Sequence, residues 1–150
     1  MKLIADANIL FSFFKLDSTP RELILDPELK YNLELFAPKL VLEEVGKHKK
    51  DICSRFSLDP KDFDVMFSSL ELFIKIVDRN VFDRFFPKAK EILSGNIKDV
   101  PYAALSLWFK DRGDEIFIWS NDKELKILEK HGIKVFSTEE LLELLSKTDA

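Results

Sequence analysis

Short apolar segments that predict β-strands recur along the chain, and each is separated from the next by a segment that predicts a helix. The strand segments are Lys2–Ala5, the residues around Leu33 and Leu35, Phe73–Val77, Glu115–Trp119 and Ile133–Phe136. Strands that alternate regularly with helices form a parallel sheet that is covered on both faces. The sequence therefore predicts an α/β fold, a three-layer α/β/α sandwich with a mainly parallel sheet of about five strands.

The segments between the strands have the apolar spacing and the start signals of helices. They are Ile9–Lys15, Arg21–Leu25, Lys39–Cys53, the stretch from Ser57–Pro60 to Leu72, Pro87–Leu93, Val100–Asp111, Lys123–His131 and Thr138–Leu145. Thr19 followed by Pro20 indicates a helix that is capped by Thr19. The helix from Val100 is apolar nearly all round, so we expect it to be buried at the centre of the domain.

The size and composition of the chain fit one globular domain that spans residues 1–150. Hydrophobic residues make up 46%, with 14 Phe and only 4 Gly, which favours a packed core over disorder. The apolar runs are short and interrupted by charges, so we expect no membrane span. The single cysteine excludes an internal disulfide and suits the reducing cytoplasm. The absence of Gln and the 33% of charged residues are typical of many hyperthermophile proteins.

Three acidic residues occupy positions that this fold would bring towards one edge of the sheet. Asp6 follows the first strand, and Asp122 comes soon after the fourth. Ligands of open α/β sheets bind outside the carboxyl ends of the strands, so these two side chains should meet if the two strands are neighbours. Asp99 opens the apolar helix, whose buried start should carry it to the interior of the same edge.

A fourth acid comes from the predicted helix that begins at Lys39, where Glu43 and Glu44 are adjacent. At about 100° per residue, Glu44 lies at the border of the apolar face that contains Val41 and Val45, while Glu43 points nearly opposite. Glu43 also stands four residues before a lysine, which is an ordinary surface pair. Glu44 is therefore the better candidate for a functional site.

Each acid also has a purely structural explanation, because acids near helix starts cap free N–H groups and interact favourably with the helix dipole. Four carboxylates at one edge, however, repel one another unless a cation joins them. All-carboxylate ligation suits Mg²⁺ or Mn²⁺ and not zinc. Bound cations reverse the local charge, so the net charge of −4 does not exclude a nucleic-acid partner.

Four motifs fall in the order and at the spacing of one known family. They are Leu-Ile-Ala-Asp-Ala-Asn-Ile-Leu, Ala-Pro-Lys-Leu-Val-Leu-Glu-Glu-Val, Lys-Asp-Val-Pro-Tyr-Ala-Ala-Leu-Ser-Leu and Ile-Trp-Ser-Asn-Asp-Lys-Glu-Leu. Over essentially its whole length the chain resembles the PIN-domain family. The resemblance implies an α/β sandwich, Mg²⁺ or Mn²⁺ at a site of four acids, and hydrolysis of single-stranded or structured RNA. The four acids are Asp6, Glu44, Asp99 and Asp122.

The resemblance also implies roles for residues around these acids. Asn8, Ser120 and Asn121 match positions that help to orient the acids. Glu124 matches a further acid that is more usually Asp in the family. Stand-alone domains of this size resemble the toxin halves of bacterial and archaeal toxin–antitoxin pairs, while the same fold also serves RNA processing. An antitoxin partner is thus implied. Most of the Phe residues are core candidates, and some of those on the early helices are candidates for a surface that binds the antitoxin or a second copy of the chain.

A mechanism follows from this set of acids. Asp6 and Asp122 would bind the metal directly, and Asp99 would complete the shell. Glu44 would hold or deprotonate the attacking water. Phosphatases with an Asp-x-Asp nucleophile pair are a rival class, which Asn8 disfavours because it replaces the second acid. A non-catalytic module that binds RNA or a protein is the other alternative, and mutually repelling carboxylates disfavour it.

Basic residues near the acids are candidates for contacts with the RNA backbone. They are Lys47, His48, Lys98 and Lys123. The alternative explanation for most of them is an ordinary solvated helix face.

Overall fold

A computed structural model describes residues 1–29 and 32–148 and has a five-stranded sheet at its centre. The strands are β1 (Lys2–Ala5), β2 (Glu34–Pro38), β3 (Ile74–Val77), β4 (Ile116–Trp119) and β5 (Lys134–Phe136). Their order is β3-β2-β1-β4-β5, and every neighbouring pair is parallel. The sequence-based prediction of a parallel α/β fold is confirmed.

Helices flank this sheet and complete a three-layer α/β/α sandwich. They are α1 (Ala7–Ser12), α2 (Thr19–Leu25), α3 (Lys39–Lys47), α4 (Lys49–Phe56), α5 (Pro60–Ser69), α6 (Arg79–Phe82), α7 (Phe86–Leu93), α8 (Val100–Asp111) and α9 (Thr138–Thr148). Segments of 3-10 helix are Leu70–Leu72, Asp83–Phe85, Ile97–Asp99 and Lys123–His131. Within the described ranges, no helix has both the length and the apolar character to cross a bilayer.

The strand order places β1 directly beside β4, with Ala5 opposite Trp119 in the register. The residues that follow these two strands therefore leave the sheet at the same edge. The chain moves from β1 to β2 and β3 on one side, and β4 and β5 lie on the other side of β1. Such a reversal of strand order opens a crevice at the carboxyl ends of the strands, where α/β proteins bind their ligands.

Helix α8 is buried along most of its length, as its apolar sequence predicts. Every residue from Val100 to Leu107 is buried, and so is Phe109. The rest of the core is rich in aromatic side chains, including a stacked pair, Phe14 and Phe63, with ring centroids 4.7 Å apart. Helix α8 itself contacts β4 and β2, so the start of α8, and with it the backbone of Asp99, is held against the sheet.

The helix predicted over Lys39–Cys53 is wrong in one respect, because the chain breaks at His48 into α3 and α4. The backbone of His48 has φ −93° and ψ 17°, outside the helical region. Gly46, which favours helix less than other residues, precedes the break, and a Cβ there would stand 3.2 Å from the ring of Phe67. The predicted cap Thr19 is also wrong, since Ser18 Oγ accepts the capping hydrogen bond from the N–H of Arg21 at 3.2 Å.

Candidate functional site

Three carboxylates come together at the crevice beside β1 and β4. Among the described residues, Asp99, Asp122 and Glu124 each offer one oxygen within 4.8 Å of the others. Asp122 caps the 3-10 helix that follows β4, and its Oδ1 accepts a hydrogen bond from the N–H of Glu124 at 2.9 Å. Asp99 immediately precedes α8. Local structure after β4 thus brings two of these acids to the start of α8.

Asp99 is only 4% exposed, although it carries an acidic group. Within the described part of the chain its side chain makes no capping hydrogen bond to α8, so helix capping does not explain its position. Burial raises the pKa of Asp99 to about 6, and the charge of Asp122 adds to this effect. The side chain is thus held where its negative charge is unfavourable unless a proton or a cation is bound.

The amide of Asn96 connects two of the three acids. Its Nδ2 donates to Asp99 Oδ2 at 2.5 Å and to Glu124 Oε2 at 2.7 Å. Asn96 lies in the turn after α7, where Ser94 and Gly95 have φ values of 42° and 101°. Sequence analysis missed this residue, although the Ser-Gly-Asn run is a turn signal directly before the apolar helix.

Asp6 joins the same site through Ser120. Asp6 Oδ1 accepts from the N–H of Ile9 at 2.9 Å, so it caps α1, and its Oδ2 accepts from Ser120 Oγ. The hydroxyl oxygen of Ser120 in turn accepts from the N–H of Asp122 at 3.0 Å. Burial raises the pKa of Asp6, and the nearby charge of Asp122 adds to this, although the bonds from Ser120 and Ile9 oppose it. Buried Ser120 therefore fixes Asp6 relative to the loop of Asp122.

Tyr102 is a second residue that sequence analysis did not single out. Its hydroxyl oxygen accepts a hydrogen bond from the N–H of Ala7 at 2.8 Å, which ties α8 to the start of α1. Burial raises the pKa of Tyr102, and the charges of Asp6, Asp99 and Glu44 raise it further. The phenol group thus stands among the acids that the sequence nominated.

Glu44 is exposed and is not part of the group of three carboxylates. It lines a neighbouring cavity together with Phe11 and His48. Its charge nevertheless reaches Tyr102. Glu43 is exposed as well. The structure therefore places Glu44 at the side of the acidic site, towards the cavity.

The other residues nominated from the sequence have different surroundings. The backbone N–H of Asn8 hydrogen-bonds Asp6, which lowers the pKa of that carboxyl, while the Asn8 side chain is exposed. Asn121 Oδ1 accepts from the N–H of Thr138 at 2.8 Å, so Asn121 stabilises the start of α9 instead of the acids. Lys98 Nζ lies 3.7 Å from Asp122 Oδ2.

Three basic candidates remain, and none forms an ion pair with the three carboxylates in the described structure. Lys47 and Lys123 are exposed. His48 meets the ring of Phe11 edge-on, and its Nδ1 lies 3.4 Å from Asp51. His48 therefore belongs to the cavity beside Glu44.

The donor set fits a small divalent cation. All the converging atoms are carboxylate oxygens, which Mg²⁺ and Mn²⁺ prefer. Two oxygens on opposite sides of an octahedral Mg²⁺ are ~4.2 Å apart. Oxygens that already lie within 4.8 Å of one another need only a small rearrangement to bind one ion together. A cation would also compensate the unfavourable charge of buried Asp99.

Comparison with known proteins gives a family and a fold. The family model described as PIN domain matches residues 4–146. The structure is similar to that of VapBC2 from Rickettsia felis bound to a DNA fragment from their promoter, with a TM-score of 0.67 and 14% identity over 91% of this chain and 98% of that chain. It is also similar to PAE2754 from Pyrobaculum aerophilum, with a TM-score of 0.64 and 15% identity over 98% of this chain and 90% of that chain. No curated protein matches the chain significantly.

Proposed function

The chain belongs to the PIN-domain family, and on this premise we propose that it is an endonuclease that hydrolyses RNA with Mg²⁺ or Mn²⁺. PIN domains are generally nucleases. The observation that carries the proposal is the group of three carboxylates, Asp99, Asp122 and Glu124, at the crevice where the strand order reverses. Asp6 stands beside this group through Ser120. A binding surface would gain nothing from acids that repel each other.

Asp99, Asp122 and Glu124 would hold the cation, with Asp6 adding negative charge from the buried side. A bound cation would lower the pKa of a water molecule and offset the charge that develops on the phosphate. Asn96 restrains Asp99 and Glu124 through its two hydrogen bonds, so these carboxylates are oriented before the substrate arrives.

Glu44 would face the substrate from the cavity side. Glu44 is exposed, so water solvates its negative charge and no burial cost opposes it. The side chain is therefore free to accept a proton from a water molecule. This position supports the role of holding or deprotonating the attacking water, and it leaves ion binding to the three converging carboxylates.

The decisive experiment is cleavage of a panel of single-stranded RNAs with Mg²⁺ or Mn²⁺. We expect cleavage that stops with EDTA and that is lost in Asp99→Asn. Asp111→Asn is the matched control, since Asp111 ends the same helix, is exposed and pairs only with Arg84 at 3.3 Å in the described structure. Cleavage that persists in EDTA, or an active Asp99→Asn variant, would contradict the mechanism. No cleavage of any RNA would favour a binding module.

The biological role that fits best is the toxin of a toxin–antitoxin pair, with an antitoxin protein as partner. The chain covers 98% of the VapBC2 chain it resembles. Expression of the wild-type chain alone should arrest growth of a bacterial host, and Asp99→Asn should not. Normal growth with an active nuclease would point to RNA processing instead.

A further inference from the structure

A half-open cavity of about 270 Å³ lies between α1, α3 and α4, beside the acidic site. Three aromatic rings line it, those of Phe11, His48 and Phe56. The rings of Phe11 and His48 meet edge-on with centroids 5.8 Å apart. The cavity is slightly smaller than typical ligand sites, which span ~300–1,000 Å³. Its size and its rings suit one flat, unsaturated group.

Charged groups of both signs surround these rings. Glu44 and Asp51 contribute acceptors, and Arg55 contributes donors. In the described part of the chain, the guanidinium of Arg55 has no ion-pair or hydrogen-bond partner. A lone phosphate would be repelled by the two acids, and neither a lone cation nor an aliphatic group would use the donors of Arg55. A neutral ring with both donors and acceptors on its edge can pair with Arg55 and with the two acids.

The cavity lies near the proposed catalytic centre, because α1 and Glu44 approach both. Phe11 lies on α1, which starts immediately after Asp6, so the two residues are separated by ~7.5 Å along the helix axis. Glu44 forms part of the cavity wall, and its charge reaches Tyr102 at the acidic site. A nucleotide bound with its phosphate at the acids therefore has its own or its neighbour's base beside this cavity.

We propose that the cavity lined by Phe11, His48 and Phe56 binds an unpaired nucleobase of the RNA substrate, next to the phosphodiester that is cleaved. The proposal rests on the proposed nuclease function for its substrate. A base stacks on the aromatic rings, and its edge hydrogen-bonds Arg55 and the flanking carboxylates. Bases inside an A-form helix are paired and stacked, so the cavity selects single-stranded regions.

The test combines a change in the protein with a change in the RNA. Phe56→Leu keeps an apolar side chain but removes the ring, and Phe85→Leu is the matched control because Phe85 is also half-buried and lies in another cavity. A series of RNAs carries one abasic nucleotide at successive positions around the cleaved bond. For the wild type, one abasic position should lower kcat/KM by roughly 5- to 150-fold, the range of one stacked base.

Phe56→Leu should show a loss of similar size on intact RNA and no additional loss on that abasic RNA, because both changes remove the same contact. Phe85→Leu should behave like the wild type on both RNAs. The proposal would be overturned if the losses of kcat/KM caused by Phe56→Leu and by the abasic nucleotide multiplied. It would also be overturned if no abasic position lowered kcat/KM of the wild type. Thermal melts of both variants establish that they fold.

A binding measurement separates failure of the cavity from failure of the nuclease proposal. Single-stranded RNA carries 2-aminopurine at the sensitive position, and its fluorescence is recorded in EDTA. If there is no cleavage, 2-aminopurine is placed at each position in turn. Quenching by the wild type and by Phe85→Leu, but not by Phe56→Leu, supports the cavity even in a protein that does not cleave RNA. If RNA is cleaved and Phe56→Leu quenches as well as the wild type, only the proposal about the cavity is overturned. If the protein neither cleaves nor binds RNA, both proposals are overturned.

Discussion

Replacement of Asp99 by Asn tests the charge of the acidic site through stability. Asp99 is buried and makes no capping bond to α8 in the described structure, so the substitution removes a charge and keeps the shape of the side chain. In metal-free buffer at neutral pH we expect Asp99→Asn to be more stable than the wild type, because the buried carboxylate no longer repels Asp122. If Asp99 served only the helix, the same substitution would bring no gain, because Asn caps a helix about as well as Asp and only the charge–dipole interaction of about 0.3–1 kcal/mol would be lost.

The size of the effect follows from the pKa of Asp99, which burial and Asp122 raise from 3.8 to about 6. Because the folded state holds the proton more tightly, protonated Asp99 contributes stability that is complete below about pH 4 and is lost as the pH rises through about 6. At roughly 1.4 kcal/mol per pKa unit, the complete loss is about 3 kcal/mol. The advantage of Asp99→Asn should therefore grow from about 1 kcal/mol near pH 4.5 to about 3 kcal/mol near pH 8.

Thermal melts in EDTA across this pH range measure the difference directly. At ~2–4 °C per kcal/mol for a chain of this size, Asp99→Asn should melt roughly 6–12 °C above the wild type near pH 8. Addition of Mn²⁺ should stabilise the wild type by ~2.7 kcal/mol at a hundredfold excess over its Kd, and the variant by less. Asp111→Asn should follow the wild type throughout.

The reasoning fails if the two melting curves stay parallel from pH 4.5 to pH 8. It also fails if Asp99→Asn is less stable in EDTA while the wild type does not respond to Mn²⁺. Either result would mean that the position of Asp99 serves the helix and not a metal site.

Three further substitutions test other parts of the site. Ser120→Ala removes the hydrogen-bond donor to buried Asp6. It should lower the free energy of unfolding measured in urea by about 1–3 kcal/mol and lower kcat/KM about 10- to 100-fold. Unchanged activity would show that the hydrogen bond from Ser120 to Asp6 has no catalytic value. Glu44→Gln should lose most RNA cleavage and Glu43→Gln little, and equal losses would remove Glu44 from the mechanism. Asn96→Asp adds a charge between two acids, so its melting temperature should fall below that of Asn96→Ala in EDTA and recover more with Mn²⁺; equal melting of the two would contradict the repulsion argument.

The pairing of Asp6 with Asp122 was predictable because it depends only on strand adjacency and on the direction of parallel strands. Both features follow from the alternation of strands and helices along the chain. The bridging hydroxyl of Ser120 could be predicted for the same reason, since Ser120 directly follows β4. Sequence periodicity is informative where a side chain's location is fixed by one regular element and its neighbour.

The position of Glu44 was harder to predict because a helical wheel gives a direction and not a distance. The periodicity placed Glu44 at the border of the apolar face, and the structure has it exposed beside a cavity. The break at His48 contributes to this cavity, because α4 departs from the axis of α3 there. The break follows Gly46 by two residues, and the close approach of Phe67 to Gly46 is a tertiary contact that the local pattern does not show.

Asn96 and Tyr102 were missed for a related physical reason. Each is defined by a partner distant in the sequence, since Asn96 bonds Glu124 and Tyr102 bonds Ala7. Polar side chains in a turn or on an apolar helix usually have structural explanations, so their residue types alone do not reveal these partners. The chain segments that hold the partners meet only after the sheet has formed.

Helix capping explains the positions of Asp6 and Asp122 but not that of Asp99, so Asp99 is the acid most diagnostic of function. Asp6 and Asp122 each use one oxygen to cap a following helix, so local stability would favour both acids in a protein with no metal. Asp99 has no such bond in the described residues, and its burial beside Asp122 lowers stability as the pH rises from about 4 through about 6. A neutral Asn at this position would keep the hydrogen bond from Asn96 and avoid the repulsion. The carboxylate at Asp99 is therefore better explained by a bound cation than by the fold.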